Sequence, residues 1–299
     1  MRKKGVLLLL FAGILWGCMG YFVRHLTALG LDQVQIIFFK MLIGAIVLFL
    51  FMLIKYPRLL CIKRWQDLWF LAASGLISMF GFNFFYFKAM EVTTLALAGV
   101  LIYVSPGITL LLSAVIFKEK ITVKKICALL LIFGGCISAG GVIGGVNNIT
   151  IGGFLLCMGA AFCYGLYSIF GRIAVNHGYH PYTTTLYNMI FCFLGCLPLV
   201  DFSGIIASLS PALLAYSCGL SIFCAAVAYV FYTAGLQYVE ASEAAMLATM
   251  DAVTAVIISV FVFDELLTVW TVLGIVLIIG GICVMNLSAK QKPKPLTGN

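Results

Sequence analysis

Long apolar runs separated by short polar stretches organise this chain. They recur at about residues 5–23, 34–54, 67–87, 95–117, 123–145, 151–172, 182–200, 212–234, 241–263 and 268–287. Each run is long enough to cross a hydrocarbon core as a helix, which takes about 20 residues. The pattern therefore predicts ten membrane-spanning helices joined by short loops.

Composition points the same way. Of 299 residues, 64% are hydrophobic and 9% charged, whereas a soluble domain carries about 25% charged residues. There is too little polar surface to cover a water-soluble globule, so the chain reads as an all-α integral membrane protein. The net charge of +8 does not imply nucleic acid, because the cations sit in short clusters beside apolar runs rather than on one continuous basic face. There they read as orientation signals and contacts to the anionic lipid of the bilayer. With the N-terminus inside, Arg2, Lys3, Lys4, Lys55, Arg58, Lys63, Arg64, Lys118, Lys120, Lys124, Lys125, Arg172, Lys290, Lys292 and Lys294 all fall on the inner side, against Arg24 and Lys88 outside. Both termini are expected in the cytoplasm, with the chain multi-pass in the plasma membrane. Residues 289–299 read as a short cytoplasmic tail.

The start resembles a signal peptide, with Arg2-Lys3-Lys4 ahead of an apolar run. Its apolar stretch continues through Val23, and the segment has a counterpart deep in the chain, where no signal can lie. It is read as a retained first span. Ten of the eleven cysteines fall inside spans, and Cys61 lies in a basic loop. They read as small hydrophobes.

The two halves repeat each other. A shift of 148 places Gly17 on Gly165, Arg24 on Arg172, Met41 on Met189 and Trp16 on Tyr164. A shift of 146 places Phe85-Tyr86 on Phe231-Tyr232, Glu119 on Glu265, Thr122-Val123 on Thr268-Val269 and Gly134-Gly135 on Gly280-Gly281. The expected units are residues 1–146 and 147–288, five helices each. Because five is odd, the second unit enters the bilayer inverted, an arrangement suited to alternating access.

The residues 117–122, Phe-Lys-Glu-Lys-Ile-Thr, and 263–268, Phe-Asp-Glu-Leu-Leu-Thr, each precede an apolar run with a Gly-Gly pair. With Leu15-Trp16-Gly17 in the first span, they resemble the EamA-type family of the drug/metabolite transporter superfamily over essentially the whole chain. The resemblance implies ten helices, cytoplasmic termini and a central cavity lined mainly by spans 1, 3, 4, 6, 8 and 9. It also implies export of small metabolites or drugs. Lys118 and Asp264 stand where relatives often have Gly before the repeated Glu, and Asp251-Ala252 stands where Glu-Pro is common.

An ionisable side chain within a span costs about 2.5–3.5 kcal/mol on the insertion scale, so it needs a partner or a wet cavity. Asp251 lies near the middle of span 9 on a stripe with Ala244, Ala248 and Ala255, facing the bundle. It aligns with Ser105, beside the kinking Pro106. Two roles suit it: binding a cationic or amine group or a coupling proton, or resting as a buried acid satisfied by neighbouring hydroxyls. Lys40 either snorkels outward from span 2 or holds a substrate carboxylate, which with Asp251 would suit a zwitterion. Matched aromatic and polar residues complete the candidate pathway: Trp16 with Tyr164, Asn83 with Tyr229, Tyr86 with Tyr232, and Tyr103 with Thr249. Interfacial anchoring is the alternative for Tyr86 and Tyr232.

Arg24 and Arg172 close the first span of each repeat and are expected either to cap that helix or to gate by pairing with an acid. Glu119 and Glu265 are expected to lock the turns between the last two spans of each repeat. Gly134, Gly135, Gly280 and Gly281 are expected to pack helices, as is Gly13-x-x-x-Gly17. His177 and His180 lack further ligands for a metal site, and no phosphate loop or cofactor motif is present. The favoured reading is a secondary active or facilitative transporter of small organic solutes. A membrane-embedded enzyme or a non-transporting sensor or scaffold are the alternatives. The enzyme would need a nucleophile or metal constellation within the spans, and the sensor a docking domain. Substrate, direction, coupling ion and oligomeric state are left open at this stage.

Overall fold

The computed structural model describes residues 1–93, 95–139, 150–264, 266 and 268–286. Among these there is no strand, and the described residues are helices joined by short connections. The first repeat contributes α1 (Arg2–Ala28), α2 (Gln33–Lys55), α3 (Trp65–Met90), α4 (95–116) and α5 (Val123–Ala139). The second contributes α6 (Ile151–Asn176), α7 (Pro181–Leu199), α8 (Pro211–Gly235), α9 (Ala241–Phe263) and α10 (Val269–Asn286). Nine are long and apolar enough to cross a bilayer; α5 counts 17 described residues, and its expected end lies outside them. Glu265, the expected unit boundary at 146/147 and the tail 289–299 also lie outside the described residues.

Helices are the answer this composition demands, since a lipid-exposed backbone must satisfy its hydrogen bonds within the segment. Loop residues set where several of them start. Asp32 and Gln35 form a reciprocal capping box at α2, with bonds of 2.8 and 2.9 Å. Thr150 accepts from Gly153 N at 3.1 Å to begin α6, and Ser210 accepts from Leu213 N at 3.2 Å to begin α8. Large apolar side chains such as Val115 and Phe261 project outward, as lipid-facing residues do.

The duplication reappears as matched irregularities. α4 breaks at Tyr103–Val104 and α9 at Thr249, between Leu95–Ile102 and Ser105–Ile116 in one and Ala241–Ala248 and Met250–Phe263 in the other. α3 and α8 each contain a wider i→i+5 turn, at Ser74–Phe80 and Leu220–Val227. The packing is matched too. A Cβ on Gly17 would stand 2.6 Å from the Asp251 carbonyl, and one on Gly165 would stand 3.3 Å from the Ser105 carbonyl. The residue pairs that align in sequence thus make the same cross-repeat contact twice, α1 on α9 and α6 on α4.

Two sequence expectations need correction here. Of the Gly-Gly pairs, Gly135 and Gly281 pack α5 against α10, where an added Cβ would come within 2.8 Å of Ile278 or Ile132. Gly134 and Gly280 meet nothing within 4 Å, because neighbouring residues on a helix point about 100° apart. Arg172 does not end its helix, since α6 continues to Asn176. Its guanidinium instead donates to the carbonyls of Leu236 and Val239 at 2.5 and 2.9 Å, satisfying the C-terminal end of α8. Arg24 likewise lies a turn before the end of α1, with its guanidinium over the Phe263 ring at 4.1 Å.

Candidate functional site

The helix breaks surround a cavity of about 390 Å³. α1 and α9 begin at the end of the bundle that carries Arg2, and α4 finishes there. The lining residues Trp16, Gly20, Gly99, Tyr103, Asp251 and Val256 therefore occupy the middle of the bundle and the half away from that basic end. Both repeats contribute wall.

Asp251 faces this space rather than lipid. It lies in the first turn of the half-helix Met250–Phe263, and Oδ1 accepts from its neighbour's backbone, Ala252 N, at 2.7 Å. The start of a half-helix favours a negative charge. The Tyr103 hydroxyl donates to the same oxygen at 3.3 Å, so the two matched helix breaks are linked through this carboxylate.

Aromatic rings form most of the remaining wall. Trp16 packs on Tyr164, Tyr229 and Tyr232 with centroids 6.5, 5.2 and 5.2 Å away. Phe82 stacks between Tyr86 and Tyr164 at 5.7 and 5.1 Å. Lys40 is turned inward, 5% exposed and on the cavity wall, with Nζ 3.6 Å from the Met19 thioether. Of its two readings in the sequence, the outward snorkel is not the observed conformation.

Trp16 is the floor. Beneath it, towards the basic end, lies a second, much smaller void of about 10 Å³ lined by Ser105, Thr109, Tyr164, Tyr167, Ser168, Tyr232, Ala245 and Ala248. Its hydroxyls are mostly engaged: Ser168 and Tyr232 approach to 2.5 Å, and Thr109 donates to the Ser105 carbonyl at 3.0 Å. The Trp16 indole Nε1, by contrast, is buried with no partner.

Below that void the structure closes. Leu9, Ala12, Ala244 and Ala248 are buried, and a polar cluster ties the repeats together. Glu119 accepts from Ala241 N at 2.9 Å and from the Ser242 hydroxyl at 2.5 Å. Lys125 donates to Glu240 at 2.5 Å, to Ser242 at 2.7 Å and to Glu119 at 3.4 Å. Arg2 pairs with Glu243 at 3.1 Å. Glu119 thus keeps a bond across its own turn, to Lys125 in the first turn of α5, and also reaches beyond that turn. Its carboxylate caps the N-terminus of α9 in the opposite repeat, whose orphan backbone donors and dipole attract an acid.

Asn83 and Thr249 do not line either space. The Asn83 amide donates to Met79 O at 2.5 Å and the Thr249 hydroxyl to Met246 O at 2.6 Å, each bonding to its own helix. Tyr86 and Tyr232 both point inward, away from interfacial anchoring. Sequence reasoning overlooked Phe82, Met19, Cys136, Thr109, Tyr167 and Ser168. Thr109 and Ser168 lie a helical turn from the chosen Ser105 and Tyr164, a spacing that marks the same face. At the basic end His177 Nδ1 meets Asp67 at 3.0 Å, and the Tyr179 hydroxyl donates to the same carboxylate at 2.9 Å. Burial of Tyr179, and then that bond, raise its phenol pKa. No cluster of metal-ligating side chains occurs among the described residues.

The model of the EamA-like transporter family matches residues 3–140 and 151–287. The Bacillus subtilis uncharacterized transporter YdfC is 27% identical over 315 residues, covering 98% of this chain and 95% of that protein. An uncharacterized transporter of Archaeoglobus fulgidus is 27% identical over 289 residues, covering 95% and 98%. The B. subtilis uncharacterized transporter YyaM is 26% identical over 217 residues, covering 70% of each. A protein of known crystal structure superposes with a TM-score of 0.82 at 19% identity, covering 96% of this chain and 98% of that one.

Proposed function

Because this chain belongs to the EamA-like transporter family, we propose that it moves a small organic solute across the plasma membrane by alternating access. The carrying observation is the asymmetry along the bundle axis. A 390 Å³ cavity built by both repeats sits beyond the middle, while the basic end is shut by the Glu119, Lys125, Glu240 and Ser242 cluster. The volume falls in the range of small-molecule sites. With the basic end in the cytoplasm, as the distribution of Lys and Arg favours, this conformation is closed to the cytoplasm. Export of metabolites, amino acids or drugs is the direction this reading assigns.

Asp251 is the principal polar group for the solute. Its second carboxylate oxygen is available to an amine or cation, and Trp16, Tyr86, Tyr103, Tyr164 and Tyr229 supply apolar faces with polar tips. The cycle exposes Asp251 to one side and then the other, with Trp16 and the cluster beneath it forming the inner barrier.

The test is metabolite release from cells overproducing the protein, followed by flux of the released solute in reconstituted vesicles across pH. Asp251→Asn, with folding verified, is expected to abolish flux. Full activity in that variant removes Asp251 from the mechanism, and no solute flux for the wild type rejects the transport reading. An unchanged rate across pH excludes protons as the coupling ion.

A further inference from the structure

Resting on the reading of this cavity as a solute site, we infer that Lys40 is its anion-recognising residue and that the solute is dipolar. Its carboxylate meets Lys40 while its ammonium meets Asp251.

Both charges belong to one cavity wall, and they do not pair with each other. The ammonium of Lys40 carries three donors and no acceptor capacity. Its protein contact is the Met19 thioether at 3.6 Å, a weak acceptor, and the thiols of Cys192, Cys196 and Cys224 lie around it. No carboxylate stands beside it among the described residues. Asp251 presents the complementary situation. Tyr103 and Ala252 N both bond Oδ1, leaving Oδ2 towards the cavity.

A buried charge without a counter-charge is costly, and the cost falls away when a ligand supplies the missing partner. A solute with a single positive end would answer Asp251 and leave Lys40 uncompensated. One with a single negative end would do the reverse. A net-neutral solute bearing both ends answers the two poles, and the aromatic wall between α1, α3, α4 and α6 receives its apolar body.

The experiment is a thermal-shift titration of the purified full-length protein with the standard L-amino acids as probes. Each is compared with its methyl ester, which lacks the anionic pole, and its N-acetyl derivative, which lacks the cationic pole. At least one amino acid is expected to stabilise the protein, with both derivatives weaker by about tenfold or more. Lys40→Gln should erase the preference over the ester and keep that over the N-acetyl compound, and Asp251→Asn should do the opposite. Lys40→Arg should retain both. If Lys40→Gln does not fold, Lys40→Met takes its place. The inference is overturned if esters bind as well as the parent acids, if the Lys40 variants keep the preference, or if no parent amino acid binds. Vesicle flux separates this from the underlying reading: carriage of a solute lacking either charge sinks the dipolar assignment and leaves transport standing.

Discussion

The ammonium of Lys125 stands 2.5 Å from Oε2 of Glu240, joining the last helix of the first repeat to the fourth helix of the second. Glu240 is half exposed, but Glu119, the second acid at Lys125, is 6% exposed. Removing Lys125 therefore leaves the buried Glu119 carboxylate without its counter-charge, at a cost of ~3 kcal/mol. That cost falls on the conformation in which the basic end is closed. Lys125→Gln is expected to shift the population towards opening at that end. The readout is alkylation of Ala248→Cys, beneath Trp16, by a membrane-impermeant reagent applied from the basic side and quantified by mass spectrometry. The introduced thiol should be protected in the parent and several-fold more reactive with Lys125→Gln. Equal protection in both would make the cluster purely structural.

Trp16 separates the main cavity from the small void, and its buried Nε1 lacks a partner. An unsatisfied buried donor costs about 1–3 kcal/mol, so Trp16→Phe removes a penalty along with some packing. The variant is expected to melt at or above the parent temperature while KM for the transported solute rises, since the indole ring forms part of the cavity wall. Trp16→Ala should merge the two spaces and weaken the inner barrier, seen as solute leak from loaded vesicles. A clear fall in melting temperature for Trp16→Phe, with unchanged KM, would show the indole to be core alone.

Much of this was legible in the sequence, and what escaped it did so for identifiable reasons. The helices follow from uninterrupted apolar runs, and the pairing of Gly17 with Gly165 and Ser105 with Asp251 follows from the repeat. Glu119 could not be matched to Ala241 because their contact spans 122 residues and depends on how α5 and α9 meet. Which glycine of each pair packs depends on helix rotation, so Gly134 and Gly135 look equivalent in a string and are not in space. The break at Thr249 has no proline to announce it, unlike its counterpart before Pro106. Lys40 was undecided for a related reason: a long side chain two turns into a helix can reach either lipid headgroups or the interior.

Tyr103 links the two helix breaks through one hydrogen bond of 3.3 Å to Asp251. A bond to a carboxylate contributes about 1.5 kcal/mol, which corresponds to about tenfold in an equilibrium. Tyr103→Phe should therefore lower the apparent affinity for solute by up to about tenfold while preserving the fold, since the ring that fills the wall is kept. A loss as complete as that expected for Asp251→Asn would mean that the hydroxyl itself touches the solute.

The close packing of α5 on α10 makes a prediction about adjacent residues. Gly135→Ala forces a Cβ to 2.8 Å from the Gly274 carbonyl, a backbone atom that cannot rotate away. Gly134→Ala places its Cβ in open space and removes backbone freedom from the unfolded chain, a gain of about 0.5–1 kcal/mol. Melting of the detergent-solubilised protein should fall for the first and hold or rise for the second. The same contrast is expected between Gly281→Ala and Gly280→Ala.

Lys118 and Asp264 occupy equivalent positions in the two repeats and share a left-handed backbone, with φ of 56° and 52°. For most L-residues this region costs about 1–2 kcal/mol, although Asp tolerates it through its short polar side chain. Glycine adopts it freely but gives up about 0.5–1 kcal/mol of unfolded-state entropy. Lys118→Gly should accordingly stabilise the protein by roughly 0.5–1 kcal/mol, and Asp264→Gly should be close to neutral. Lys118→Val, β-branched in the same conformation, should destabilise by more than either gains. The geometry serves the inner barrier, because the reversed residue lets Glu119 N reach the Ser113 carbonyl at 3.3 Å and turns the Glu119 carboxylate towards Ala241. A gain in melting temperature for Lys118→Gly with faster alkylation of the introduced thiol at position 248 would mean that the strained turn also restrains the barrier. A gain with unchanged alkylation would confine its effect to stability.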